Sequence, residues 1–387
     1  MDFFRQIIKN NIRQFGMLIV LGLIVLLFQI ASEGVLLAPL NVTNLILQNS
    51  YILVLAIGML LVIVAFHIDL SVGSVAAVIS ATSAILIVSM KMNFVLAVVL
   101  SLIVGALIGA WHGWWIAYIK IPAFIVTLGG MLIFRGITMA SLNGMTIGPY
   151  PEGFQRISTG FIPDIFHGEG IHITTLLIGL IFTAFYIFYE INKRHTQRKY
   201  SFEVVPVGLL MVKIAFIAIA INAFTYSLAA YKGIPNVLVL LFILIVFYTF
   251  ITTKTTIGRH IYALGGNEKA AKLSGVKTQR IVFLVFVNMG IMSALSGIVF
   301  AARLNAATPK AGQGFELDAI AACFIGGAST AGGIGTIIGA IIGGLVMGVM
   351  NNGMSLMGVG IDWQQSIKGL VLLLAVAFDT FTKSKSS

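Results

Sequence analysis

Charge is what this 387-residue sequence has least of: 10% of its residues are Asp, Glu, Lys or Arg, where a water-soluble domain needs roughly 25% to cover its surface. The shortage excludes a soluble fold. Cysteine is nearly absent as well. The one thiol, Cys323, lies in an apolar stretch without a partner, which removes disulfides and cysteine-ligated metal sites and leaves it a small core residue. The six histidines, at 67, 112, 167, 172, 195 and 260, show no HExxH-type ligand spacing, so no metal is expected. A GxxxxGKS/T phosphate loop is missing, and so is any Gly-Lys dipeptide, so the chain does not cradle ATP phosphates by that route. Paired carboxylates or a Ser, His and Asp group in one apolar layer are also lacking. Enzyme chemistry is therefore not indicated, and no cofactor is expected.

What the sequence has in excess is apolar length, with 59% hydrophobic residues and a mean hydropathy of +1.03. Apolar segments fall near 17–38, 51–66, 70–90, 94–119, 122–142, 173–191, 204–229, 236–252, 281–302, 317–331, 334–350 and 363–381. Each needs about 20 residues to span a bilayer. That leaves no room for a folded soluble domain, so residues 1–387 read as one polytopic all-α transmembrane domain of about twelve spans. The second segment is short, and the tenth and eleventh are divided by the glycine-rich run Gly326 to Gly335; these places suit broken or re-entrant helices. The first segment follows Arg5, Lys9 and Arg13 but has no cleavage site after it, so it reads as a retained span.

The net charge of +11 indicates topology here, not nucleic acid. With the N-terminus in the cytoplasm, most Lys and Arg fall on that side: the N-terminal three, Lys120, the clusters at 193–199 and 254–280, and Lys383 with Lys385. This is the positive-inside bias, and an even span number puts both termini inside. Lys213 is the worst-placed cation, at ~3 kcal/mol or more in mid-bilayer, and the favoured reading starts its span near Ile214. Arg135, near an external helix end, either binds substrate or, as we prefer, snorkels or caps carbonyls.

Three polar stretches are long enough to meet a partner. Residues 143–172, with Pro149, Pro151 and Pro163, read as an irregular, partly ordered external loop. Residues 192–203 form a basic cytoplasmic turn. Residues 254–280 contain GGNEKAAKLSGV: Gly265 and Gly266 are expected to break the preceding structure, Asn267 to cap a short helix to Leu273, Glu268 to sit in its first turn, and Gly275 to end it. The small Ala270 and Ala271 would admit a close protein surface, with Ser274 beside the terminal cap.

That motif resembles the cytoplasmic coupling motif of ABC importer permeases. IDLSVGS (68–74), IPAFIVTLGGMLIFRG (121–136) and FIGGASTAGGIGTIIGAIIGG (324–344) resemble, in order, blocks of the ribose, galactose and xylose permease family. GAWHGWWIAY (109–118) and the length point to its xylose-type or multiple-monosaccharide branch. His67 and His112 depart from the family pattern, which bears on the sugar and not on the class. The resemblance implies a homodimer in membrane lipid, two cytoplasmic ABC ATPase subunits, an extracytoplasmic sugar-binding protein, and inward transport of a monosaccharide by alternating access across the plasma (inner) membrane of a prokaryote. ATP would then be hydrolysed by another subunit.

Within these blocks Asp69 is read first as a cap for the helix that follows, with Ser71, Gly73 and Ser74 keeping its first turn small and polar. Asp69, Ser71, Ser74 and Thr127 are also candidate pathway or gating residues. Asn351 and Asn352, beside Gly353, either line a path or form an external turn. The glycines at 335, 339 and 343 have close-packing spacing. An ion-coupled secondary sugar transporter is the alternative, and it should carry an acid near the bilayer midplane. Asp69, Glu316, Asp318 and Asp362 are all expected near span ends, which disfavours it. With Cys323 replaced, single cysteines at Glu169 and Lys232 should label from outside intact cells with an impermeant reagent, and those at Arg198 and Lys272 should not. Labelling at Arg198 would contradict the placement of the membrane pair at 173–229.

Overall fold

A computed structural model describes residues 2–200, 204 and 206–384. They form α1 (Asp2–Ala31), α2 (Pro39–Val64), α3 (Val72–Ala84, continued by a π-helical turn Ile85–Ser89), α4 (Phe94–Ala117), α5 (Ala123–Ser141), α6 (Glu152–Thr159), α7 (Ile173–Lys199), α8 (Val207–Ala229), α9 (Asn236–Lys254), α10 (Thr256–Gly266), α11 (Glu268–Leu273), α12 (Thr278–Leu304), α13 (Phe315–Ile325), α14 (Ile337–Leu356) and α15 (Ile361–Ser384). Among the described residues there are two isolated β-bridges and no strand. The fold is an all-α membrane protein.

Nine of these helices are long and apolar enough to cross a membrane: α2, α3 with its π turn, α4, α5, α7, α8, α9, α12 and α14. The other three expected segments coincide with the apolar end of α1 (Gly16–Ala31), with α13, and with α15. At 11 residues α13 is too short to span, so twelve is an approximate count.

The chain divides into two compact units. In the larger, residues 1–36, 45–159 and 237–387, helices touch backbone to backbone where side chains are smallest. Gly105 and Gly109 of α4 face Gly290 of α12 with no room for a Cβ on either side. Gly339 and Gly343 of α14 do the same against Gly326 and Ala322, so the expected close packing is present there. Fully buried Phe286, Met289 and Ile57 fill the core between these contacts.

Two helices start partway through the layer. Tyr51 is the middle residue of α2, a helix of about 39 Å, and its ring stacks on Phe315 with centroids 4.1 Å apart. The first residue of α13 is therefore level with the centre of α2. From there α13 runs toward the Val64 end, where Gly333 N–H donates to the Val64 carbonyl at 2.9 Å. Gly73, near the start of α3, presses on Gly312, three residues before Phe315. The connection 65–71, a turn at Phe66 followed by irregular chain, thus climbs back to the level of Gly312 before α3 begins. From that level α3 runs toward the Leu304 end of α12: Ala76 meets Gly297, and Tyr150, whose N–H donates to Asn305 Oδ1, hydrogen-bonds Ser80 and Ser83 through its hydroxyl.

The smaller unit, residues 37–44 and 160–236, is built on the antiparallel pair α7 and α8. Gly179 packs on Thr225, and Asn222 donates to Thr183 at 2.9 Å. Lys213 lies inside α8 and its Nζ is 2.7 Å from Glu190 Oε1 on α7. The helix itself begins at Val207, ahead of Ile214, and the cation within it is paired. Asp164 accepts from Thr174 N–H (3.0 Å) and Thr174 Oγ1 (2.7 Å), which fixes the entry to α7. The Thr174 hydroxyl and neighbouring backbone N–H groups hold its carboxyl far below its ordinary value of 3.8, so this anchor is lost only as pH falls below that value.

Glu190→Leu alone should lower the melting temperature of the purified protein, because it strands Lys213. The cost should stay under the ~3–5 kcal/mol of a fully buried pair, since Lys213 is half-exposed. Adding Lys213→Leu should restore most of the loss, as thermal unfolding in detergent can read.

Candidate functional site

The polar stretch after α9 folds into two helices, one more than expected. Gly265 and Gly266 form the last turn of α10, which ends there as expected, with Asn267 extended before the next helix. Gly265 is glycine because its Cα lies against the Val64 carbonyl and the Gly333 N–H, where a Cβ has no room. Tyr262 Oη donates to the Gly335 carbonyl at 2.6 Å, so α10 is clamped both to the end of α2 and to the loop between α13 and α14.

From this base α11 projects outward. Asn267 Oδ1 accepts from Ala270 N–H at 2.9 Å. At the far end Gly275 takes φ +84°, while Gly275 and Val276 donate to the Lys272 and Ala271 carbonyls at 3.0 and 3.1 Å, a glycine-terminated cap. Ala271 is buried, so Ala270 alone of the pair is available to a partner, together with exposed Gly266, Glu268, Ser274 and Gly275. The outermost apolar residue is Leu273, 91% exposed. The sequence reading gave it no role, although an apolar residue between Lys272 and Ser274 in a polar helix was the available signal.

Beside this element the 65–71 connection carries two of the candidate residues, Asp69 and Ser71, and Ser74 and Thr127 lie close by on α3 and α5. Asp69 is buried, and its Oδ1 accepts from Ser71 N–H (2.8 Å) and Ser71 Oγ (2.6 Å). The cap position itself belongs to Ser71, whose hydroxyl is occupied by Asp69 and makes no cap bond. Asp69 therefore closes the turn before α3 and does not cap the helix directly. Thr127, fully buried on α5, donates to the Ala123 carbonyl at 2.9 Å and reaches the Ile68 carbonyl at 3.4 Å. Ser74 is fully buried in the first turn of α3, and its Oγ has no partner. A cavity of about 860 Å³ lies alongside, lined by His67, Lys120, Phe124, Glu268, Gln279 and Phe324. It places the start of α11 and the α2–α3 connection on one space.

A second polar cluster lies at mid-depth. Arg135 Nη1 donates to the Ala311 carbonyl, so this group caps a carbonyl. Glu316 lies in the first turn of α13, and its Oε2 is buried without a partner among the described residues. Asp318 pairs with Lys368 of α15 at 3.1 Å. Because α13 begins level with Tyr51, Glu316 and Asp318 are not near a span end as expected; only the re-entrant path of the chain reveals their depth. Asn351 and Asn352 lie inside α14, which removes the external-turn reading. They are on a helix whose Gly348 and Gly353 pack on Asn49 and Phe28, away from the Asp69 group.

Asp69→Ala should cost about 1 kcal/mol of stability, the worth of a buried turn hydrogen bond, whereas Asp69→Asn, which keeps the Oδ1 acceptor, should retain most of it. Thermal melts of both variants decide this, and equal losses would assign the role to the charge.

Comparison with known proteins places this geometry. The family model described as branched-chain amino acid transport system / permease component matches residues 41–376. The chain is 38% identical to the xylose transport system permease protein of Haemophilus influenzae over 97% of its length and 98% of that protein's. Identity is also 38% to the xylose transport system permease protein of Escherichia coli K12, over 97% of this chain and 94% of the relative. The ribose import permease protein of the same organism is 35% identical, over 88% and 85%. No solved structure matches significantly. A many-helix membrane protein with broken helices, matched by this model over most of its length, belongs to the transport permease component family and is not an enzyme.

Proposed function

We propose that this chain is the membrane-spanning subunit of an ATP-driven importer that carries a monosaccharide, xylose or a related aldose, inward by alternating access. The observation that carries the reading is α11: a short capped polar helix resting on a backbone clamp to α2 and the 333–335 loop, with its outer face exposed. The resemblance of GGNEKAAKLSGV supplies the class of partner that would cover it, a cytoplasmic ABC ATPase. Supporting relatives carry names of xylose and ribose permeases.

In this reading the chain is one permease domain, forms a homodimer in the plasma (inner) membrane of a prokaryote with both termini cytoplasmic, and receives sugar from an extracytoplasmic binding protein across the 143–172 side. When the ATPase pair closes on nucleotide, α10 and α11 move together. The Gly265 contact and the Tyr262 bond pass that motion to Val64 and to the 333–335 loop, hence to α13 and α14. The cavity beside Glu268 lies on the same side as the coupling helix and is an exit vestibule in this account.

The mid-depth acids favour one competing reading, an ion-coupled symporter. Asp318 is neutralised by Lys368, leaving Glu316 and the buried Asp69 as its candidates. Initial uptake with ATP maintained and the proton gradient collapsed separates the two: the importer keeps transporting and a proton symporter stops.

Gly275→Leu forces a side chain onto φ +84°, at about 1 kcal/mol or more. Its Cβ meets nothing within the chain, so the permease should still insert. Sugar-stimulated ATP hydrolysis by the assembled complex should fall several-fold. Wild-type stimulation in this variant would contradict the docking role.

A further inference from the structure

Arg135 and Glu316 take no part in the coupling clamp, and local packing leaves one of their atoms unexplained. Arg135 is half-buried on α5, a helix that also exposes Leu132, Ile133 and Ile137. Its guanidinium does not snorkel to the helix end but stays on the Ala311 carbonyl, four residues before the mid-depth Phe315. A cation turned to hydrocarbon at that level is strongly disfavoured, so this part of α5 borders something polar. On the other side, Glu316 lies in the first turn of α13, and its Oε2 is buried and receives no donor among the described residues. A buried acceptor without a donor is unfavourable. Its neighbour on α3 is Gly73, where a Cβ would come within 2.6 Å of that oxygen, so a larger residue there would press on it.

We propose that Arg135 and Glu316 are the sugar-contacting residues of this chain, Glu316 Oε2 accepting a hydroxyl hydrogen and the Arg135 guanidinium donating to hydroxyl oxygens as the sugar passes mid-depth. The inference rests on the sugar-importer reading and adds to it the residues that sense the cargo. A neutral polyol suits a site where cation and anion stand together, because the ligand brings no charge of its own. The two planar groups offer an acceptor and a fork of donors, which matches adjacent hydroxyls of an aldose. Discrimination follows from the same chemistry, since an analogue lacking the hydroxyl leaves Oε2 without its donor.

The test uses the complete transporter in cells, with initial uptake of radiolabelled D-xylose and of its monodeoxy analogues over a concentration series. Glu316→Gln keeps the size of the side chain and replaces one carboxylate oxygen by an amide nitrogen, so it should insert normally. It should lower xylose uptake about tenfold and erase the preference for xylose over at least one monodeoxy analogue. Arg135→Lys, which keeps the charge and loses the fork, should do likewise. A structural role alone would lower the amount of transporter but leave the preference unchanged. If both variants keep wild-type uptake and wild-type preference, the proposal is wrong. A second arm does not depend on residual transport. With Cys323 replaced, Arg135→Cys should react with a small water-soluble thiol reagent and be protected by D-xylose, and an unreactive or unprotected thiol would overturn the assignment. Failure of the importer reading appears separately, as wild-type uptake that stops when the proton gradient is collapsed and ATP is kept.

Discussion

The account depends on one backbone contact, that of Gly265 with Val64 and Gly333. A methyl group at Gly265 would overlap the Val64 carbonyl, so the polar helix α10 sits on the end of α2 without side chains between them. The Gly333 N–H completes the junction by donating to that same carbonyl. Side-chain packing can slide and repack, but three backbone segments in contact move as one. This makes α10 and α11 an extension of α2 and of the 333–335 loop, the contact on which the proposed docking role rests.

Beyond the junction lie two interrupted helices. The loop that carries Gly333 continues from α13, which is short because it starts at the level of Tyr51. There it meets Gly73 of α3 through Gly312, again backbone against backbone. Non-helical chain at mid-depth is tolerated only where protein or a polar passage satisfies it, and the residues gathered there are polar: Arg135, Glu316, Asp318 and Lys368. Thus the ends of α13 connect the coupling clamp to the polar cluster over the length of a single short helix.

Much of this was legible in the sequence and some was not. Hydropathy locates the spans because a bilayer imposes a length, and the caps at Asn267 and Gly275 were legible because those residue types have few other reasons to flank a helical run. The clamp was not legible. Gly265 and Gly266 were read only as ending a helix, since a glycine chosen for close approach looks in sequence like one chosen for flexibility. The glycines at 105, 109 and 113 carry the same close-packing spacing that was noticed at 335, 339 and 343 and were passed over in an apolar run. Depth was the hardest quantity: Glu316 and Asp318 border an apolar segment and look terminal until the re-entrant path is known. The pairing of Lys213 was hidden for a related reason, because its partner Glu190 is on another helix.

The central claim is that α11 is buried against an ATPase subunit in the working transporter. In a chain with Cys323 replaced and Leu273→Cys introduced, native membranes containing the complete transporter can be treated with a short thiol cross-linker, with a water-soluble maleimide in parallel. The account predicts a cross-linked product between this chain and the ATPase polypeptide, with residue 273 shielded from the maleimide. Free labelling of residue 273 in the assembled complex, with no cross-link formed, would contradict it.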